Sequence, residues 1–204
     1  MPVKNVIKNY AEDSYYHIYN RGVSKELIFV DEQDYVVFLG LLKRYLSEDN
    51  EKKLNRVKYP NYKDNMDLIA YCLMPNHFHL FVYQREANAI TNFVRSLSVS
   101  YSMYFNKKYR RQGSLFQQRY KAVDIKDDSQ LIHITRYIHL NPDKYRSYKW
   151  SSYHYYVDNE TPKWLKPAAI LSLFRDSEEY ASFVSDYKSY RDDLKNIKES
   201  LIDG

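Results

Sequence analysis

Strand-length apolar runs alternating with amphipathic helical stretches predict an α+β protein, an antiparallel sheet with helices packed on it and a helical C-terminal extension. The first supporting observation is the continuous apolar run from Asp67 to Met74. It is followed by Pro75-Asn76 and then His77 to Tyr83, the pattern of a β-hairpin with a Pro-Asn turn. The second is the stripe Ile90, Phe93, Val94, Leu97, Tyr101 and Tyr104, at helical spacing between about Ala87 and Lys108.

The other elements follow in order. Tyr15 to Arg21 reads as a first strand, ended by Gly22, and Asp31 to about Leu46 as a helix with Tyr35, Phe38, Leu39, Leu42 and Leu46 on its apolar side. The charged stretch 47–65, with Pro60, reads as a mobile loop insertion. Arg110-Arg111-Gln112-Gly113 closes the long helix in a basic turn, Gly113 being free to take a positive φ. Tyr120 to Ile125 alternates like a strand. Asp128 or Ser129 caps a helix that Pro142 ends. Beyond Trp150 a polar stretch with Pro162 leads to helical patterns at Pro167–Phe174 and Ser177–Ile197. The expected division is a domain over residues 1–157 and the extension over 158–204.

Composition narrows the function. With 204 residues, 44% hydrophobic and 28% charged, the chain can bury a core. Four glycines argue against Gly-rich phosphate loops, and a single cysteine, Cys72, excludes an internal disulfide framework and a Cys-rich zinc site. No run reaches the apolar length of a membrane span, and Met-Pro-Val-Lys-Asn at the start has no apolar core of a signal peptide, so a cytoplasmic location is expected. The net charge is +5, but between Arg95 and Lys126 eight basic residues face the single acid Asp124, while from Asp158 onward ten acids face seven bases. Such asymmetry suits one face meeting a polyanion, and equally a solvated basic helix end. Tyr101, Tyr104, Tyr109 and Tyr120, among 23 tyrosines, interleave the block, a pattern compatible with stacking of unpaired bases or with ordinary packing.

Two places carry candidate chemistry. On a strand, His77 and His79 project to one side while Phe78 turns to the other, so two neutral imidazoles can share a divalent metal; two packed histidines explain the pair as well. Leu80-Phe81-Val82 follows, without the aspartate that zinc hydrolases using this pair usually add. The second place is the helix in which Leu131, Ile134 and Ile138 form the buried stripe and His133, Tyr137 and Asn141 share a flanking face. A tyrosine hydroxyl becomes a useful nucleophile when a metal polarises the phosphate it attacks. Asn141 offers an amide oxygen beside the histidines, although Asn before Pro is also an ordinary helix terminator, and spacing alone does not single out Tyr137.

Met74-Pro75-Asn76-His77-Phe78-His79-Leu80 resembles the histidine–apolar–histidine signature of HUH single-strand DNA transposases. Tyr104-Phe105-Asn106-Lys107-Lys108-Tyr109, Gly113 to Lys121 (GSLFQQRYK), Arg136 to Pro142 (RYIHLNP), Tyr16 to Gly22 (YHIYNRG) and Trp150-Ser151-Ser152-Tyr153 are similar to the REP-associated tyrosine transposase branch, a resemblance running from about Tyr15 to Tyr156. It implies a ferredoxin-like antiparallel sheet and a Mg²⁺ or Mn²⁺ ion held by His77, His79 and Asn141. Related insertion-sequence transposases more often carry Gln in place of Asn141. The resemblance also implies Tyr137 as nucleophile and cleavage and rejoining through a 5′-phosphotyrosine; an adduct that persisted in Tyr137→Phe would move the role elsewhere, Tyr120 being the next candidate. The implied partner is single-stranded DNA with palindromic hairpins, contacted by Arg95, Lys107, Lys108, Arg110, Arg111, Arg119 and Lys121. His17, Arg21 and His133 are candidate accessory groups, and relatives occur both as monomers and as homodimers that exchange the tyrosine helix. Competing readings are a rolling-circle initiator or relaxase, disfavoured by the lack of a third histidine in the motif, a catalytically silent hairpin-binding regulator, and a zinc-dependent hydrolase.

Overall fold

The structure, a computed structural model, describes residues 10–47, 59–158 and 160–186. Four strands, β1 (Ser14–Arg21), β2 (Met66–Met74), β3 (His77–Gln84) and β4 (Lys121–Ile125), form one sheet in the order β2-β3-β1-β4 with every neighbour antiparallel. Helix α1 (Glu32–Leu46) connects β1 to β2 and α2 (Ala89–Lys108) connects β3 to β4. That order and connectivity is the ferredoxin-like arrangement. Then come α3 (Asp128–His139) and three shorter helices, α4 (Tyr153–Val157), α5 (Ala168–Leu171) and α6 (Ser177–Ser185).

Strand alternation sorts side chains into two cores. Tyr16, Ile18, Phe78, Leu80 and Val82 pack against α1 and α2 through residues such as Phe38, Leu42, Phe93 and Leu97. On the opposite face Ala70, Cys72 and Phe81 meet Leu131, Ile134 and Ile138 of α3, with Tyr156 of α4 and Tyr180 of α6. A bulge in β2 keeps the sorting in phase: Leu68 pairs with Val82 but Ala70 with Phe81, so one extra residue, Ile69, is taken up between them. The outer edge of β2 is covered. Leu73 N–H donates to the Trp150 carbonyl, Ser152 N–H to that of Tyr71 and Lys166 N–H to that of Leu68. Edge groups that would otherwise recruit another chain are thereby satisfied.

Asp34 ties the two helices of the first face together. Its carboxylate, fully buried, accepts from Val30 N–H (2.8 Å), the hydroxyls of Tyr104 (2.9 Å) and Tyr109 (2.8 Å) and the Lys108 ammonium (2.8 Å). Burial pushes this carboxyl up, but the hydrogen bonds from Lys108, Val30 and the two tyrosines outweigh it and hold the group below the ordinary carboxylate range.

Several expectations shift. Asp127, not Asp128 or Ser129, caps α3, accepting from Gln130 N–H at 2.8 Å. The basic turn closes α2 earlier than Gly113: Arg110 takes the left-handed conformation (φ 51°) and Arg111 N–H reaches back to the Asn106 carbonyl (2.9 Å), while Gly113 adopts φ 85° in the loop beyond. Helix α4 carries no periodic signal long enough to read. Of the pattern over 177–197 the helix occupies Ser177–Ser185, the rest lying outside the described residues, as does 48–58 of the expected loop. Among the described residues no helix is long and apolar enough to cross a membrane.

Replacing Lys108 by Met strips the buried Asp34 of its ammonium, and we expect a loss of ~2 kcal/mol, read as a lower thermal midpoint. Because the folded carboxyl titrates below its unfolded value, Asp34's contribution is present above the ordinary carboxylate range and disappears as pH falls through the lower, folded value. Acid unfolding of wild type should therefore be steeper than that of Asp34→Asn.

Candidate active site

The face of the sheet covered by α3 carries the chemistry. Along β1, His17, Tyr19 and Arg21 point to this side, and the register sets Arg21 opposite His77 and Tyr19 opposite both His79 and Lys121. The β2–β3 turn ends immediately before His77, placing it at the mouth of the site and His79 one step deeper, 5% exposed. Gly22 is required just after β1: a Cβ there would lie 2.1 Å from the Glu26 carbonyl oxygen.

Helix α3 brings Tyr137 over the two imidazoles, its ring edge-on to His79 (centroids 5.4 Å) and to His17 (5.9 Å). The helix is locked by buried polar groups. His139, fully buried, hydrogen-bonds the Tyr180 hydroxyl through Nδ1 (2.7 Å) and the Ser152 hydroxyl through Nε2 (2.8 Å). Ser152 Oγ also accepts Tyr71 N–H of β2 at 2.9 Å. Arg136 donates to the Phe183 carbonyl (3.2 Å), its guanidinium 4.2 Å from that ring's centroid.

Asn141 lies past the helix rather than on it, because α3 ends at His139. Its Oδ1 stands 3.2 Å from His77 Nε2, which ties the segment just past the nucleophile candidate to the histidine pair. Asn76 fixes the histidine's tautomer. Asn76 Nδ2 donates to the Lys25 carbonyl (3.3 Å), which turns Oδ1 toward His77 Nδ1 at 2.6 Å and places the proton on Nδ1. His77 Nε2 and Asn141 Oδ1 are then two lone pairs facing each other, an arrangement that calls for a cation. Their separation matches the edge of about 3 Å between right-angled ligands at about 2.1 Å from a small divalent ion. The residues present fit such an ion, although among the described residues no group of three or more His, Cys, Asp or Glu gathers as a metal cage.

Burial keeps the imidazoles neutral: His17 is pushed down to about 3, His77 is lowered, and His79 is lowered well below the ordinary range by burial with His17 and His77 beside it. Burial raises the Tyr137 phenol, partly countered by the nearby Asn141 side chain, so it is protonated near neutral pH.

These groups open onto a cleft of about 560 Å³ whose lining includes Arg21, Lys25, Arg119 and Lys121 and no carboxylate. Arg21 Nε donates to Gln117 Oε1 at 2.6 Å, and Arg21, Lys25 and Arg119 pair with no acid among the described residues. The basic block of the sequence does not converge here. Lys108 is committed to Asp31 and Asp34, and Arg111 to Glu26 (2.9 Å). Arg95 lines a separate groove with Tyr59 and Tyr62, and Lys107 and Arg110 are exposed at the far end of α2. His133 lies on the Arg136 side of α3, 2.9 Å from that guanidinium and against Phe183, outside the cleft lining. Lys25 and Asn76 are the residues that sequence reasoning missed; a left-handed turn at Ser24 and Lys25 brings the former in.

A family model described as IS200-like transposase matches residues 39–141, a span that includes His77, His79, Tyr137 and Asn141. The chain belongs to the IS200-like transposase family. The chain is 31% identical over 106 residues to a Haemophilus influenzae protein that bears the name REP-associated tyrosine transposase, across 43% of this chain and 59% of that one, so it spans less than two thirds of that relative's length. The solved structure of a REP-associated tyrosine transposase bound to a REP hairpin superposes with a TM-score of 0.55 at 14% identity, over 80% of this chain and 92% of the other, which shows a shared fold.

Replacing His139 by Phe leaves the Tyr180 hydroxyl unpaired in the second core. We expect a loss of about 1–3 kcal/mol in stability, measurable by denaturant unfolding, and a comparable loss for Ser152→Ala, which leaves the Tyr71 N–H and His139 Nε2 unpaired.

Proposed function

We propose that this transposase cleaves and rejoins single-stranded DNA beside a palindromic hairpin, with Tyr137 as nucleophile. The observation that carries the reading is the convergence of Tyr137, Asn141, His77 and His79 at the head of a cleft lined by cations and free of carboxylates. No carboxylate lines this cleft to supply the acidic ligand that zinc hydrolases built on a His-x-His pair usually add. The hairpin is the ligand of the structural relative and is assigned to this chain as part of the proposal.

His77 Nε2, His79 Nε2 and Asn141 Oδ1 would hold Mg²⁺ or Mn²⁺, which when bound supplies Lewis-acid polarisation of the scissile phosphate. Arg21, Lys25, Arg119 and Lys121 bind the flanking phosphates and stabilise negative charge. Tyr137 gives up its proton to water and its oxygen forms a bond to phosphorus. The P–O3′ bond breaks, the 3′ oxygen leaves as a hydroxyl after taking up a proton from water, and the 5′ phosphate stays on the tyrosine. A second 3′-hydroxyl reverses the step on a new end. The phosphodiester count is unchanged, so no nucleotide cofactor is needed.

The test is incubation of the chain with a 5′-extended DNA hairpin and Mn²⁺, followed by denaturing electrophoresis. A covalent DNA–protein band is expected from wild type, absent in Tyr137→Phe and reduced at least a hundredfold in His77→Ala, while both variants retain hairpin binding. A band surviving in Tyr137→Phe sinks the assignment and moves the nucleophile to another tyrosine. The dispersal of the basic block gives a second expectation. Neutralising Arg119 and Lys121 should lower the salt dependence of binding by roughly 0.7 in slope per lost phosphate contact. Neutralising Arg110 and Arg111 should change it less.

A further inference from the structure

We propose that His17 is a positioning residue that fixes the tautomer and the rotation of His79. The inference rests on the reading of His77, His79 and Asn141 as a divalent-ion site. His17 Nε2 lies 2.9 Å from His79 Nδ1, with the two rings within 17° of parallel and their centroids 5.0 Å apart, the geometry of an in-plane bond between imidazole edges. His79 Nδ1 has no other hydrogen-bond partner among the described residues. An imidazole that presents a bare Nε2 to a cation must carry its proton on Nδ1, and a buried N–H without an acceptor is costly. His17 Nε2 supplies that acceptor, as Asn76 Oδ1 does for His77. Each metal-facing histidine thus has its own acceptor behind it, one from the hairpin turn and one from the neighbouring strand, the arrangement by which ligating imidazoles are generally oriented.

The position of His17 is rigid. It is 1% exposed, its backbone is paired to Phe81 of β3 and Val123 of β4, and its ring lies against Tyr19 at 5.2 Å and 22°. With Nε2 accepting, its own proton sits on Nδ1, a buried atom with no partner among the described residues, so the unpaired N–H is moved one ring away from the ion site rather than removed. Nothing in packing alone explains a polar ring here. An apolar side chain would fill the space without leaving that nitrogen unsatisfied.

The test compares His17→Gln with His17→Asn. A glutamine amide oxygen reaches the place of Nε2, whereas the shorter asparagine reaches only that of Nδ1. Binding of Mn²⁺ alone to the full chain is measured by electron paramagnetic resonance, with thermal midpoints in EDTA as the check on folding. The expected result is Mn²⁺ affinity lower by about 10–100-fold in His17→Asn and largely restored in His17→Gln, with similar midpoints for the two variants. Equal affinity of His17→Asn and wild type overturns the proposal, as does an equal loss in both variants, which would assign the effect to ring packing. His77→Ala separates the two layers. If wild type binds Mn²⁺ no better than His77→Ala, the ion-site reading falls and the role of His17 with it. If wild type binds and only the His17 contrast is missing, the ion site stands and His17 does not position it.

Discussion

The register of β1 against β3 decides which side chains meet. Because alternate residues of a strand face opposite ways, a slip of one residue would turn His17, Tyr19 and Arg21 into the core beneath α1 and α2 and send Tyr16 and Ile18 to the cleft. The apolar cost of that exchange holds the pairing in place. Register is defended at the neighbouring strand too, where the β2 bulge at Ile69 lets Leu68 serve one core and Ala70 and Cys72 the other. The placement of His77 and His79 is therefore a by-product of burying isoleucine, leucine and phenylalanine correctly, and the site inherits the precision of the core.

Tyr137 depends on a different kind of constraint. Its helix packs through only a few apolar residues, Leu131, Ile134 and Ile138, which fix distance but leave rotation and sliding weakly determined. The hydrogen bonds of His139 to Ser152 and Tyr180 supply direction. They join α3 to the edge of β2 and to α6, so residues far along the chain orient the tyrosine. Buried polar groups of this sort add less to stability than equal apolar volume, but they admit one arrangement, which suits a reactive hydroxyl that must meet a phosphate in line.

Much of the fold was legible because it is written in local period. The β2–β3 hairpin follows from a continuous apolar run and a Pro-Asn turn, the two long helices from apolar spacing at three to four residues, and the His-x-His projection from the two-residue period of a strand. The pairing of β1 with β3 is not local, and neither is the bond from His17 to His79, whose residues are separated by 62 positions. Charge was the signal that the sequence could not resolve into surfaces. A count over Arg95–Lys126 adds cations that point in different directions: Lys108 turns inward to a buried carboxylate, Arg111 to Glu26, and only Arg119 and Lys121 face the cleft, where Arg21 and Lys25 join them from another part of the chain. The motif containing Tyr104, Lys108 and Tyr109 owes its chemistry to Asp34, which explains its composition without any ligand.

The charge balance of the cleft carries the last step. Its metal-facing donors, two imidazoles held neutral by burial and an amide oxygen, contribute no negative charge. A divalent ion placed among them keeps its full charge beside Arg21, Lys25, Arg119 and Lys121. Such a site holds an ion weakly when alone, since hard divalent cations prefer anionic oxygens and retain water when these are missing. On the proposed function the anionic oxygens would be those of the nucleic acid. A bound phosphodiester would then supply ligands to the ion and neutralise the flanking cations at once, so ion and strand would strengthen each other's binding, and by linkage each by the same factor. The phenol of Tyr137, raised by burial, would be favoured as phenolate by the positive charge of the ion that the strand helps to hold.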